Sequence, residues 1–416
     1  MSAWTGRGGL HPRVIGISVS ALVLMTGAGV VAPILPLFAQ EFGVSYAGAG
    51  ALISAFAVGR IPFDIVGGGL ADRLSPRWVA ALGAALVAVA ALLSGLAENF
   101  RALLLYRVMD GAGSAIFVVT AMSFLVRTVP PAHMGKAMSL YQGTVLLGVS
   151  VGPAIGGTAA SVFHSLRAPF FIMALLASGV CCLALVWIRE PPAQSGCGMG
   201  APTRGRTTGA GPDSRLAALL GDSTFLFACA LTTLVFAVRG GIRLNLIPLL
   251  GRDVIGLDEA GIGLILSLSA LANVAVLWHA GSLIDRLGRR RVAMPSLCVS
   301  LLVVVSFIWA KTFFSLLAAA AALGAVMGYL APAPAAMVAD LASPGVAGAA
   351  MGVYRVAGDL GLLVGPVSAG WVAGRFGFTA AFLFAGACGL LVLLAGRYAR
   401  ETLGTPGTGE AEPTDG

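Results

Sequence analysis

Eight ionisable side chains stand inside apolar stretches of this 416-residue chain, and six of them pair at helical spacing. Arg60 precedes Asp64 by four residues, Arg107 precedes Asp110 by three, and Arg355 precedes Asp359 by four. Residues three or four apart share one helical face, so each pair can neutralise itself where water is scarce. Such a carboxylate can also take up or release a proton as its arginine changes partners. Asp110 is therefore the first candidate for a proton carrier, ahead of Asp359 and Asp64. Arg239 and Arg243 lie one turn apart with no acidic neighbour in sequence, and Asn245 follows. With Arg60 and Arg355 they are candidates for holding an anionic or zwitterionic group, or equally for neutralising the three Asp across a cavity. Five Arg against three Asp leans toward a ligand with a carboxylate or phosphate. A purely structural role for any one of the pairs stands equally open.

The elements that position these residues follow from composition. The chain is 58% hydrophobic and only 11% charged, against roughly 25% charged in a soluble domain. Its mean hydropathy of +0.92 and its apolar runs of about 20 residues fit a bilayer core. Twelve spans are expected, at 14–38, 47–69, 78–97, 102–126, 138–162, 168–188, 224–250, 260–281, 292–310, 313–337, 347–372 and 377–397. The first is too long for a cleavable signal and no small-residue cleavage site follows it. Residues 1–188 form one six-helix bundle and 223–400 a second. The Gly-, Pro- and Ser-rich stretch 189–222 reads as a cytoplasmic linker, and 401–416 as a disordered cytoplasmic tail.

The net charge of +8 sits between apolar runs instead of on one face, which argues for membrane orientation and against nucleic-acid binding. With the N-terminus inside, sixteen basic residues fall on the cytoplasmic side. Five face the other way: Arg101, Arg167, Arg252, Lys311 and Arg375. Both termini are thus expected in the cytoplasm. All but two basic residues are Arg in an Ala- and Gly-rich chain, a bias that fits a GC-rich bacterial genome and so a bacterial plasma membrane. The six Cys show no spaced ligand motif, and the four His, at 11, 133, 164 and 279, fall in tails, loops or span ends. No metal, cofactor or His relay is expected. A membrane enzyme would need a convergent nucleophile or His–carboxylate set, and none is present.

An internal repeat organises the whole chain. Gly68-Gly-Leu-Ala-Asp72-Arg73-Leu-Ser-Pro-Arg77 recurs 213 residues on as Gly281-Ser-Leu-Ile-Asp285-Arg286-Leu-Gly288-Arg289-Arg290-Arg291. At the same offset, without a gap, Gly43 maps to Gly256, Tyr141 to Tyr354, and Gly148, Gly152, Pro153 and Gly157 to Gly361, Gly365, Pro366 and Gly370. Six spans per half is an even number, so both halves share one orientation. Repeats of this kind mark secondary transporters.

The phrase Gly-x-Leu-x-Asp-Arg-x-Gly-Arg-Arg between spans 2 and 3 resembles the signature of the major facilitator superfamily. The second copy matches it fully, while the first carries Ser75 and Pro76 in place of Gly and Arg. The resemblance implies that both loops latch the cytoplasmic side while the outer side is open, with the acidic residue beside a helix N-terminus. Arg107-Val-Met-Asp110-Gly111-Ala-Gly113 in span 4 resembles a motif of the drug:proton antiporter branch, with Asp110 where a Gln is usual. Gly148-Val-Ser-Val-Gly152-Pro153-Ala-Ile-Gly156-Gly157 in span 5 resembles that branch's antiporter motif. In the family this ridge packs where the halves meet and helps close the site toward the outside; ordinary close packing of a Gly-rich helix is the plain alternative.

The expected fold is therefore an all-α membrane protein of twelve helices in two pseudo-symmetric six-helix bundles, the major facilitator fold. The expected function is proton-coupled efflux of a small organic molecule or drug by a monomer in the lipid bilayer. The alternative is proton-coupled uptake of a metabolite or organic anion. Span 1 carries no acidic residue, which disfavours cationic drugs.

Overall fold

The computed structural model describes residues 12–73, 75–187, 218–342 and 346–403, and among these the secondary structure is helical throughout, with no strand. The first repeat comprises α1 (Pro12–Val31), α2 (Leu35–Glu41), α3 (Tyr46–Arg73), α4 (Pro76–Gly95), α5 (Phe100–Thr128), α6 (Pro131–Val162) and α7 (Ala168–Trp187). The second begins with α8 (Ser223–Ala237). It continues through a wide-turned π-helical segment, Val238–Leu246, the short α9 (Ile247–Leu250) and a second π segment, Gly251–Ile255. Then follow α10 (Glu259–Leu287), α11 (Arg289–Ser306), α12 (Phe313–Leu330), α13 (Pro332–Leu341) and α14 (Ala347–Ala395).

Eleven of the described helical stretches are long and apolar enough to cross a membrane. The last, α14, runs 49 residues but is interrupted at Gly377, whose φ of 85° only glycine adopts readily. At 1.5 Å per residue it greatly exceeds the roughly 30 Å of a hydrocarbon core, so it makes two crossings and the total is twelve. Other departures from the expected spans trace to proline. Span 1 breaks at Ala32–Ile34 beside Pro33, and span 10 breaks at Ala331 before Pro332. Ala218–Leu220, inside the expected linker, forms a helical turn, and Leu219 is buried against the second half's core. Asp222, the linker's last residue, caps α8, while residues 189–217 and the tail from 404 lie outside the described residues.

The repeat is written into the backbone as well as the sequence. Gly43 and Gly256 both take left-handed conformations, with φ of 69° and 76°. The next helices start on equivalent caps: Ser45 Oγ accepts from the Gly48 N–H at 3.4 Å, and Asp258 Oδ1 from the Gly261 N–H at 3.0 Å. Asn99 and Thr312, also 213 apart, cap α5 and α12. Two hydrophobic clusters result, one largely from residues before 188 around Phe38, Phe117, Phe124 and Phe170, the other around Phe225, Phe307 and Phe382. The outside is apolar too: Trp278 is 90% and Phe314 77% exposed, as befits a surface facing lipid.

Candidate functional site

Asp110 sits on α5 at 2% exposure, and its Oδ2 accepts a charged hydrogen bond from the Arg107 guanidinium one turn earlier. Asp110 Oδ1 and Arg107 Nε are buried without a hydrogen-bond partner. The Arg107 guanidinium lies 5.1 Å from the centre of the Phe56 ring on α3, and Arg60 lies 5.9 Å from the same ring. Phe56 therefore sits between two cations, a contact worth about 0.5–2 kcal/mol each, more as water is excluded. The close approach of α3 and α5 behind it requires glycine: a methyl on Gly111 would overlap the Phe56 carbonyl. Of the three expected pairs, this is the one whose geometry is on view. The Asp64 side chain lies outside the described residues. Asp359 is 6% exposed on α14, and Arg355, one turn before it, is exposed and within electrostatic reach of Tyr141 and Tyr354.

Arg239 is the middle residue of the 33-residue span Ser223–Ile255, and it is exposed although protein atoms surround it. A guanidinium facing lipid at that depth would cost several kcal/mol, which argues that its accessible face turns toward the interior between the halves. Arg60 from the other half lies within its electrostatic reach, as does Arg243. Arg243 is half-buried; its Nη2 donates a long hydrogen bond of 3.4 Å to the Leu266 carbonyl, and its Nε has no partner. The π-helical turns of Val238–Leu246 carry all three polar candidates of this span. Such turns are frequent at functional sites.

Asn245 has a different place from the expected ligand site. It is fully buried, and its Nδ2 donates to the Pro366 carbonyl at 3.1 Å and reaches toward the Tyr46 carbonyl at 3.5 Å. These bonds place it in a seam between the halves.

That seam is built twice over. At one end, α6 packs on α10 so that Gly157 meets the backbone of Glu259, and Gly263 meets the Pro153 carbonyl. Across the axis, α14 packs on α3 so that Gly370 meets the backbone of Tyr46, and Gly50 meets the Pro366 carbonyl. Each residue of the second set lies 213 places from its counterpart in the first. Ser54 and Ser267 form a further equivalent pair. The Ser54 hydroxyl donates to the Leu363 carbonyl, and Ser267 Oγ accepts from the Ala154 N–H at 2.8 Å. The first bond ends on a carbonyl three residues before Pro366, the second on the N–H of the residue after Pro153. Neither serine was singled out from sequence, although the 213-residue register aligns them.

The glycine ridge of α6 faces two ways. Gly148, Gly152 and Gly156 abut Leu22, Gly29 and Val30 of α1, within the same half, and Gly157 with Pro153 crosses the seam. The ridge's contact with the other half is thus narrower than expected. Away from this seam, toward the end bearing Asp72 and Asp285, the same helices loosen. A methyl on Gly135, Gly143, Gly348 or Gly352 would meet nothing within 4 Å.

At that loose end the described signature loop is engaged within its own half. Arg289 lies 3.5 Å from Asp285 and 2.9 Å from Asp340, and Arg290 Nε donates to the Gly396 carbonyl at 3.1 Å. Glu401 accepts the N–H groups of Arg289 and Arg291, at 2.7 and 3.0 Å, capping α11. Gly288 bends the chain between Asp285 and this cap at φ 111°, while Arg286 is exposed and Gly281 has open space beside it. Arg77 stacks on Trp78 at 5.4 Å. The side chains of Gly68, Asp72 and Arg73 lie outside the described residues. Among the described residues no group of His, Cys, Asp and Glu could hold a metal ion.

The sequence profile of the Major Facilitator Superfamily matches this chain over residues 17–258 and again over 223–414. The multidrug resistance protein MdtG of Enterobacter lignolyticus is 28% identical over 376 residues, covering 86% of this chain and 85% of that protein. The quinolone resistance protein NorA of Staphylococcus aureus is 28% identical over 183 residues, 44% of this chain; the match spans less than half, 46%, of NorA. Among solved structures, a bacterial homolog of the human lysosomal transporter Spinster, inward-facing and unoccupied, superposes with a TM-score of 0.76 at 15% identity, covering 94% of this chain and 98% of that one. A D-xylose-proton symporter superposes at 0.75 with 14% identity, covering 94% and 99%. These two likenesses establish a shared fold.

Proposed function

The chain belongs to the Major Facilitator Superfamily and is a multi-pass membrane transporter, and from that premise we propose that it exports a small organic molecule in exchange for protons. The observation that carries this reading is the buried Arg107–Asp110 pair. It is an ionisable couple at membrane depth, self-neutralised, with one carboxylate oxygen free to take a proton. Protonation of Asp110 frees Arg107, and deprotonation recaptures it, so proton binding is tied to a rearrangement beside Phe56 and the α3–α5 contact. Antiport requires that proton and substrate exclude each other at this site, so that each half-cycle carries one of them.

The direction rests on the α6 glycine ridge and on similarity to MdtG and NorA, both named for drug resistance. The orientation rests on the basic residues clustered at the signature-loop end, which assigns that end, the linker and both termini to the cytoplasm of a bacterium. The sealed seam then faces outward and the loose end inward. The signature loop of the second repeat, engaged within its own half in this state, latches across the halves when the protein opens outward. The transporter works as a monomer, because the two repeats between them build one cavity.

Arg239 favours a second reading, proton-coupled uptake of an organic anion. An anion bound among Arg60, Arg239 and Arg243 raises proton affinity nearby, so anion and proton bind together, and linkage makes that symport. The two readings differ in sign. Inside-out vesicles with an acid lumen and a pH-reporting dye separate them. Substrate-triggered alkalinisation of the lumen supports export by exchange. Proton-coupled uptake into right-side-out vesicles, with no such response, supports the importer.

A further inference from the structure

The two symmetric seals of the closed end differ in one respect. On the α6–α10 side, Glu259 meets Gly157 through backbone, and an open cavity of about 570 Å³ lies alongside, lined in part by Glu259, Asp258, His164 and Arg252. On the α3–α14 side, the residue equivalent to Glu259 is Tyr46, and it is tied three ways. Its hydroxyl donates to Asp253 Oδ2 at 2.8 Å, its carbonyl faces Asn245 Nδ2, and its ring leans on Phe378 at 5.3 Å. Asp253 Oδ2 also accepts from Gln40 Nε2 at 3.2 Å.

We propose that Tyr46, Asp253 and Asn245 form the clasp of the closed end, so that opening there begins by releasing Tyr46 and swings about the α6–α10 contact. An asymmetry is imposed here on a symmetric frame. Both sides share the same glycine and proline contacts, which are van der Waals in character and slide. Each side also has one serine–backbone bond, Ser54 to Leu363 and Ser267 to Ala154, but among the described residues only the α3–α14 side adds side-chain hydrogen bonds to a carboxylate across the halves. A two-state gate is biased by contacts made in one state and broken in the other, and these are such contacts. The cavity beside Glu259 gives the hinge side room to repack, whereas Tyr46 has Gly370 against its backbone and Phe378 against its ring. The clasp holds for either direction of transport.

The test measures gate position directly. Spin labels are placed in a cysteine-free background at Phe163 and Val254, which are exposed at the closed end, and a second pair is placed at Trp78 and Leu287 at the signature end. Tyr46→Phe removes one hydroxyl and keeps the ring on Phe378; Asp253→Asn weakens both side-chain bonds to that carboxylate. Each is expected to raise the population with a long Phe163–Val254 distance about tenfold and to shorten the Trp78–Leu287 distance in step. Glu259→Gln, the symmetric control, is expected to leave both distributions as in the parent. Unchanged distances in Tyr46→Phe and Asp253→Asn would overturn the proposal. So would broadening at the closed end without the reciprocal change, since loss of folding broadens without alternation. An equal shift in Glu259→Gln would also overturn it, because the clasp would then have no side.

Discussion

Gln40 and Asp253 occupy equivalent positions of the two repeats, 213 residues apart, and hydrogen-bond to each other at 3.2 Å. Two equivalent residues meet only where the symmetry axis passes, so this bond marks where the pseudo-twofold axis leaves the closed end. Around it the halves touch through matched pairs: Gly157 with Glu259 and Gly370 with Tyr46, Gly263 with Pro153 and Gly50 with Pro366. Alternating access needs an interface that can be made and unmade as a unit. Matched contacts around one axis supply it, since a rotation about the contacts on one side parts those on the other.

The Arg107–Asp110 pair is expected to respond unequally to loss of either partner. Arg107→Gln leaves a carboxylate buried without its cation, which costs about 3–5 kcal/mol or forces it to bind a proton. Asp110→Asn leaves Arg107 still stacked on Phe56 and is expected to cost less. Thermal unfolding of the purified variants checks this: Arg107→Gln should melt well below Asp110→Asn, and Arg107→Gln/Asp110→Asn should recover much of the loss.

Gly157→Leu and Gly370→Leu are both expected to open the closed end, Gly370→Leu on the clasp side and Gly157→Leu by crowding the contact about which that end swings. Each puts bulk against the backbone of the opposite half, where even a methyl has no room. Overpacking of this kind costs about 1–3 kcal/mol, which shifts a two-state gate roughly 5- to 150-fold toward the state open at that end. Labelling of a cysteine introduced on the cavity face, from either side of the membrane, reads the shift.

Glu401 ties the chain after the last crossing to the start of α11, and its ionisation has a defined sign. Burial alone would raise its carboxyl, but N–H groups of Arg291, Leu403, Arg289 and Arg290 outweigh that and hold it below the usual glutamate range. A folded-state value below the unfolded one contributes stability that is fully present above the unfolded value, near 4.3, and is lost as pH falls through the folded one. Glu401→Gln is therefore expected to melt earlier than the parent at pH 7, with the gap closing as pH drops below about 4. Melting curves across that range check it.

Arg239→Gln and Arg243→Gln discriminate substrate charge. On the export reading with an uncharged substrate, each is expected to change apparent affinity only a few-fold. On the anion reading, loss of one charge-assisted bond costs about 1.5–3 kcal/mol, or roughly 10- to 150-fold in affinity, with Arg239→Lys retaining most of it. Transport of an aromatic acid compared with its amide, at matched concentration, reads the difference.

The twelve-crossing frame and its duplication were legible in sequence because apolar length and a fixed offset survive without any contact being known. The same offset held more than was taken from it: Ser54 with Ser267, Tyr46 with Glu259 and Gln40 with Asp253 were all there to be paired. The bond from Asn245 to the Pro366 carbonyl was not legible, because nothing in Val238-Arg-Gly-Gly-Ile-Arg-Leu-Asn245-Leu announces π-helical turns or shows which helix that side chain meets. The split loyalty of the α6 ridge was hidden for a related reason. Spacing shows that Gly148, Gly152 and Gly156 share a face, but not which helix that face meets.

The measurement that bears most directly on the account is proton movement in inside-out vesicles with an acidified lumen, comparing the parent with Asp110→Asn. The account predicts that a transported compound alkalinises the lumen in the parent, and that Asp110→Asn, folded and inserted to the same level, loses the response at least tenfold. A response of equal size in Asp110→Asn would contradict the central claim, because the proton would then be carried elsewhere.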